Sequence, residues 1–145
     1  MKVLVDTSVW VDFLNGHPSE QQAVLADLIQ GTDELCTCGV VVAEVFQGLQ
    51  QQRGRKGLEN LFRKLVFLEA TGIGIHLRAA GLYRSLRSKG ITVRSTIDCL
   101  IAVLAEENGC TILARDRDIT SILASGLVRS DPVRHSPPPS GTGSR

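Results

Sequence analysis

A chain of 145 residues that is 43% hydrophobic and 4% aromatic is long enough for one domain with its own core, with no need of disulfide or metal staples. Asp6 and Asp12 break the N-terminal apolar run before it could serve as a signal peptide, and no stretch approaches the roughly 20 apolar residues of a membrane span, so a cytoplasmic protein with no membrane partner is expected. The net charge of +1 hides a segregation: residues 1–52 hold one basic and seven acidic side chains, residues 53–94 hold ten and two, and residues 95–145 hold five and six.

Val3-Leu4-Val5 reads as a buried parallel strand, apolar at consecutive positions because both faces of such a sheet are covered. It runs straight into Asp6, Thr7 and Ser8. A short helix follows, with Val9, Trp10, Phe13 and Leu14 on one face, and Asn15-Gly16-His17-Pro18 ends it. A second helix starts near Ser19 and stops at Gly31, and Leu35-Cys36-Thr37 is a second strand. The run Gly39 to Phe46 fits strand or buried helix, and a helix from about Val40 to Leu49 is favoured. Arg53 to Gly57 is expected as a loop, followed by an amphipathic helix carrying Leu58, Leu61, Phe62 and Leu65. Val66 to Glu69 reads as the third strand, Thr71 to Lys89 as a long helix, Ser95 to Asn108 as another, and Cys110 to Ala114 as the fourth strand. A last short helix carries Ile119, Ile122 and Leu123, and Gly126-Leu127-Val128 is a candidate edge strand. The expected domain is thus residues 1–130. From Asp131 to Arg145 the chain is rich in Pro, Ser and Gly and is expected to be a disordered tail. Cys36, Cys38, Cys99 and Cys110 form no CxxC pair or evenly spread framework and read as reduced thiols.

Four carboxylates stand where chemistry gathers in such a sheet, outside the carboxyl ends of the strands. Asp6 and Asp116 each follow an apolar strand. Glu44 lies inside the most apolar run of its region, where an unpaired charge is costly. Asp98 opens a mostly buried helix in Ser95-Thr96-Ile97-Asp98. Each has a local alternative: Asp6 and Asp116 as helix caps, Asp98 in a capping box, Glu44 on an exposed helix edge. Their joint occurrence favours a site. Four acids without a histidine suit a hard divalent cation, Mg²⁺ or Mn²⁺, which relieves their mutual repulsion, activates water and neutralises charge on phosphoryl oxygens. The basic block of residues 53–94 is the electrostatic footprint of a phosphate-rich partner, its alternative being a solvated helix face.

Val5-Asp6-Thr7-Ser8-Val9-Trp10, Val42-Ala43-Glu44-Val45, Ser95 to Ala102 and Arg115-Asp116-Arg117-Asp118 together resemble the motifs of PIN-domain ribonucleases, specifically the VapC toxins of bacterial and archaeal toxin–antitoxin pairs. The resemblance implies an α/β fold of three layers, a central parallel sheet of four to five strands flanked by helices. It implies an endoribonuclease in which Asp6, Glu44, Asp98 and Asp116 form the metal site, Asp6 and Asp98 being the firmest ligands. It makes Asp118 an auxiliary acid, and Ser8 and Thr96 hydroxyls that orient water at the metal. Arg84, Arg87, Lys89, Arg94, Arg115 and Arg117 are the expected RNA contacts. A homodimer and a VapB-like antitoxin that places a basic side chain in the acidic site are implied as partners. Ile119 stands where the family usually has an aromatic, which bears on packing.

Rival readings with a similar architecture fit less well. A receiver domain needs a second acid beside Asp6, and a dehalogenase-type phosphatase needs an acid where Ser8 stands. No GxxxxGK or GxGxxG loop is present. The remaining alternatives are a catalytically silent RNA-binding module of the same fold and a housekeeping RNA-processing nuclease.

Overall fold

The computed structural model describes residues 1–49 and 54–133. Arg53 of the expected loop and residues 134–145 of the expected tail lie outside the described residues. The elements run β1 (Lys2–Val5), α1 (Thr7–Asn15), α2 (Glu20–Gln30), β2 (Glu34–Cys38), α3 (Gly39–Gln47), α4 (Arg55–Lys64), β3 (Val66–Leu68), α5 (Gly72–Ser88), α6 (Thr96–Glu107), β4 (Thr111–Leu113) and α7 (Arg117–Ala124).

The strands form one sheet in the order β3-β2-β1-β4, and every pairing is parallel. Successive side chains on a strand point to opposite faces. Because Val3, Leu4 and Val5 are all fully buried, as are Cys36 and nearly so Cys38 and Thr37, both faces of the central strands are covered. This is the three-layer α/β arrangement that the sequence implies. The order reverses at β1, with β2 on one side and β4 on the other, and a crevice opens at such a reversal beyond the strand ends.

Local chemistry sets where the helices begin and end. Ser19 Oγ accepts the N–H of Gln22 at 3.0 Å to start α2, and Ser95 Oγ accepts that of Ile97 at 3.1 Å to start α6. Gly16 closes α1 in the left-handed region (φ 67°), which a side chain would strain. Trp10 anchors the core, its ring 4.6 Å from that of Phe62, which in turn lies edge-on to Phe46 at 5.3 Å. These contacts tie α1, α3 and α4 together. Ile119, at the position where an aromatic is usual in the resembling family, is fully buried, so the smaller residue is absorbed by packing.

Three sequence expectations shift. Arg55 to Gly57 form the first turn of α4, not a loop. Glycine at position 57 costs about 1 kcal/mol in a helix, but Leu58 and Phe62 on the buried face hold the turn in place. Gly126 to Val128 form a turn and bend, not a strand. The edge pairing comes instead from residues 131–133, the start of the expected disordered tail, which are ordered against β4: the Ile112 N–H donates to Asp131 O, and the Val133 N–H donates to Ile112 O, both at 3.0 Å. Pro132 sits between these two bonds, so its missing N–H is not needed there.

Candidate active site

The carboxylates converge because the topology brings three connections to one edge. Asp6 follows β1, and its own N–H continues the pairing with β4 by donating to Leu113 O at 2.9 Å. It occupies the N-cap position of α1 but makes no side-chain cap bond, and instead accepts from Ser8 Oγ at 2.9 Å. Only 5% of Asp6 is exposed. Burial, reinforced by the charge of Asp116, pushes its carboxyl above the usual range against the lowering pull of Ser8 and the main-chain N–H groups of Thr7 and Ser8.

Asp116 follows β4 and does cap a helix, accepting the N–H of Asp118 at 2.7 Å. Glu44 projects from α3, whose neighbouring residues Val41 and Val45 are buried. Burial raises its carboxyl pKa, and the charges of Asp6 and Asp116 add to this. Asp98 lies in the first turn of α6, where the capping bond is supplied by Ser95. It is pushed up to about 7, first by burial and then by the charges of Asp116, Asp6, Asp118 and Glu44. A carboxylate perturbed this far by burial and neighbouring charge, in a cleft, is a candidate functional group on physical grounds.

The cleft holds about 410 Å³ and is lined by Glu44, Arg94, Ser95, Ile97, Asp98, Asp116 and Asp118. Asp98, Asp116 and Asp118 each offer an oxygen atom within 4.8 Å of the others. An all-oxygen, acidic set at this spacing fits a hard divalent cation. Two apolar grooves, of about 470 Å³ beside β3 and α5 and about 430 Å³ between α3 and α4, each carry a single acid, Glu69 and Glu59 respectively. The acidic cleft is therefore the candidate site.

The basic residues separate into two groups. Arg84, Arg87, Lys89 and Arg117 are exposed and make no ion pair among the described residues. Arg94 is on the cleft rim, where both its main-chain N–H (3.1 Å) and Nε (3.0 Å) donate to Asp118 Oδ2. Those contacts hold Asp118 below the usual carboxylate range, the main-chain bond contributing most. Arg115 is engaged by buried Asp12, with Nε 2.5 Å from Asp12 Oδ2. Thr96 is exposed and stands outside the cleft wall, while its neighbour Ser95 forms part of it. Sequence reasoning missed Asp12, although a charge in a helix otherwise rich in apolar residues was a usable signal.

The PIN domain family model matches residues 3–123. "VapC ribonuclease Mb1587" of Mycobacterium bovis and "Ribonuclease VapC11" of Mycobacterium tuberculosis are each 33% identical to this chain over 121 residues, covering 83% of it and 90% of the relative. Among solved structures, VapBC2 from Rickettsia felis bound to a DNA fragment from their promoter superposes with a TM-score of 0.64 at 20% identity, over 84% of this chain and 93% of that one. FitAcB from Neisseria gonorrhoeae gives 0.60 at 17% identity, over 83% and 92%. These two carry the fold alone. With all four acidic motifs inside the matched span, the chain belongs to the PIN domain family, among its VapC ribonucleases.

Proposed function

We propose that this chain is a Mg²⁺- or Mn²⁺-dependent endoribonuclease that hydrolyses phosphodiester bonds in RNA and serves as the growth-arresting toxin of a toxin–antitoxin pair. The observation that carries the reading is the acidic cleft in which Asp98 and Asp116 come within 4.8 Å of each other beside Asp118, with Glu44 in its wall, while Asp6 lies outside that wall but close enough for its charge to act on Asp98. Asp6, Asp98, Asp116 and Glu44 would hold the cation; Asp118 is within reach but accepts two hydrogen bonds from Arg94, whose terminal nitrogen also lies 3.7 Å from Asp116 Oδ1. When bound, the ion supplies activation of water and neutralisation of charge on the phosphoryl oxygens. Ser8 fixes the rotamer of Asp6 through its hydroxyl. Arg94 presents the remaining N–H groups of its guanidinium at the cleft rim, where a phosphate of the substrate would enter.

The partners follow from the relatives. VapBC2 from Rickettsia felis and VapBC-1 from nontypeable Haemophilus influenzae, the latter with a TM-score of 0.63 at 16% identity, share the fold. A VapB-like antitoxin that sets a basic side chain against the cleft carboxylates would hold this chain silent, and a homodimer is its expected assembly.

Labelled RNA incubated with the purified protein should yield discrete fragments with Mg²⁺ or Mn²⁺, none after EDTA, and the same fragments on re-addition of either ion. Cutting that survives EDTA would remove the metal from the reading. Binding without cutting under any ion would turn it toward the silent RNA-binding module.

Arg84 and Arg87, on the last turns of α5, and Lys89 just beyond it should guide RNA to this cleft. Single-stranded RNA binding weakens with salt by a slope of about 0.7 per phosphate contact. Replacing all three with Gln should therefore flatten the slope by about 2. An unchanged slope would return them to the role of a solvated helix face.

A further inference from the structure

We infer that Asp12 and Arg115 form a positioning pair that sets the β4–α7 turn against α1 and so fixes Asp116 opposite Asp6. The inference rests on reading the acidic cleft as the nuclease site. Asp12 is a carboxylate with 5% exposure that is not among the residues lining the cleft and has no part in the chemistry proposed above. Its partner is Arg115, which meets it at two points: Nε to Oδ2 at 2.5 Å and one terminal nitrogen to Oδ1 at 3.2 Å. A forked contact of this kind fixes orientation as well as distance.

Arg115 is tied to the same helix a second time through its main chain, whose N–H donates to Ser8 Oγ at 3.4 Å. Ser8 Oγ in turn donates to Asp6 Oδ2 at 2.9 Å. Ser8 and Asp12 are four residues apart, on one face of α1, so this face grips Arg115 by side chain and backbone together. Asp116 is the next residue, and a shift of the turn would carry it away from Asp6. A misplacement of about 1 Å can cost about a hundredfold in rate. A partly buried ion pair adds little net stability, so geometric definition is the property that it supplies here.

The pair also changes what Arg115 does. With Nε and one terminal nitrogen committed to Asp12, its guanidinium is a fastening rather than an RNA contact, unlike Arg117 two residues on.

Asp12→Asn, Arg115→Lys, Arg115→Gln and the Asp12→Asn/Arg115→Gln double variant test this in the full chain. Asparagine keeps the volume of Asp12, and lysine keeps the charge of Arg115 but not the fork. Positioning predicts that kcat falls by about 10- to 100-fold in each while KM and the salt slope of RNA binding hold. It also predicts that the double variant loses no more than Arg115→Gln alone. A phosphate contact predicts instead a raised KM and a slope flatter by about 0.7 in the Arg115 variants, with Asp12→Asn unaffected, and that outcome overturns the inference. A purely structural pair would lower the melting temperature and leave kcat at wild type in the folded protein, which also overturns it. Should one variant not fold, the others carry the same comparison. If the wild-type chain cuts no RNA, the nuclease reading fails separately. The pair is then read by Mn²⁺ calorimetry on Asp12→Asn, where weakened affinity supports positioning and wild-type affinity refutes it.

Discussion

Asp98→Asn should abolish RNA cleavage and, at the same time, make the metal-free protein more stable at neutral pH. The loss of rate is expected to reach about a thousandfold, because withdrawing a ligand from the ion forfeits several kcal/mol of charge stabilisation, at tenfold per 1.36 kcal/mol. The gain in stability follows from linkage. Asp98 titrates at about 7 in the fold against 3.8 as its ordinary value. A raised carboxyl favours the folded state in full below about pH 3.8, and the benefit is lost as pH rises through about 7. At about pH 8 the ionised group is therefore a burden that asparagine does not carry. The full interval is worth at most about 4 kcal/mol, and coupling among the clustered acids and solvent screening reduces the observable gain to roughly 1–2 kcal/mol. That corresponds to a rise of about 3–8 °C in melting temperature for a domain of this size.

Two controls make the result specific. The difference in melting temperature between Asp98→Asn and wild type should shrink on acidification and close by about pH 4, where both side chains are neutral. Added Mn²⁺ should reverse the order at about pH 8, since it binds and stabilises the wild type alone. Wild-type Mn²⁺ affinity in Asp98→Asn, or an unchanged melting temperature at about pH 8, would sink the assignment of Asp98.

Much of this site was legible because its acids interrupt strong local patterns. Asp6 and Asp116 end apolar strands, and Glu44 intrudes on a run of valines, so the residue before and after each already gave the signal. The parallel sheet could be read from Val3 to Val5, which have no polar face. What joins the acids was not legible. Arg94 meets Asp118 across 24 positions and Arg115 meets Asp12 across 103, and no local period connects such residues. The basic block of residues 53–94 and Arg115 were therefore read as RNA-facing, whereas Arg78, Arg94 and Arg115 are engaged by acids. Arg55 to Gly57 was misread because the glycines at 54 and 57 mask a helix whose support, buried Leu58 and Phe62, the latter against Trp10, is tertiary. The pairing at residues 131–133 was hidden by Pro132, since it is the neighbours of the proline that supply the hydrogen bonds.

Induction of this chain without an antitoxin should arrest growth, and Asp116→Asn should remove the arrest while leaving a folded protein. The choice of residue matters because Asp116 has two separable roles. As the cap of α7 its Oδ1 accepts the Asp118 N–H at 2.7 Å, and an asparagine carbonyl oxygen serves as well, Asn and Asp being equally favoured at this position. Fully buried Ile119 and Ile122 hold the rest of α7 in either case. As a member of the acidic set it contributes a charge, which also faces the Arg94 guanidinium at 3.7 Å, and it is this charge that is withdrawn. Viable counts after induction, soluble protein levels and RNA from the induced cells should then separate the possibilities. Arrest by the parent with discrete RNA fragments, beside a soluble Asp116→Asn protein that neither cuts nor arrests but still binds RNA, is the outcome that the nuclease reading requires. Arrest by a soluble Asp116→Asn protein that leaves RNA intact would mean that binding, not hydrolysis, stops growth, since among the described residues no histidine lines the cleft to serve as a base: His17 and His76 both lie outside it.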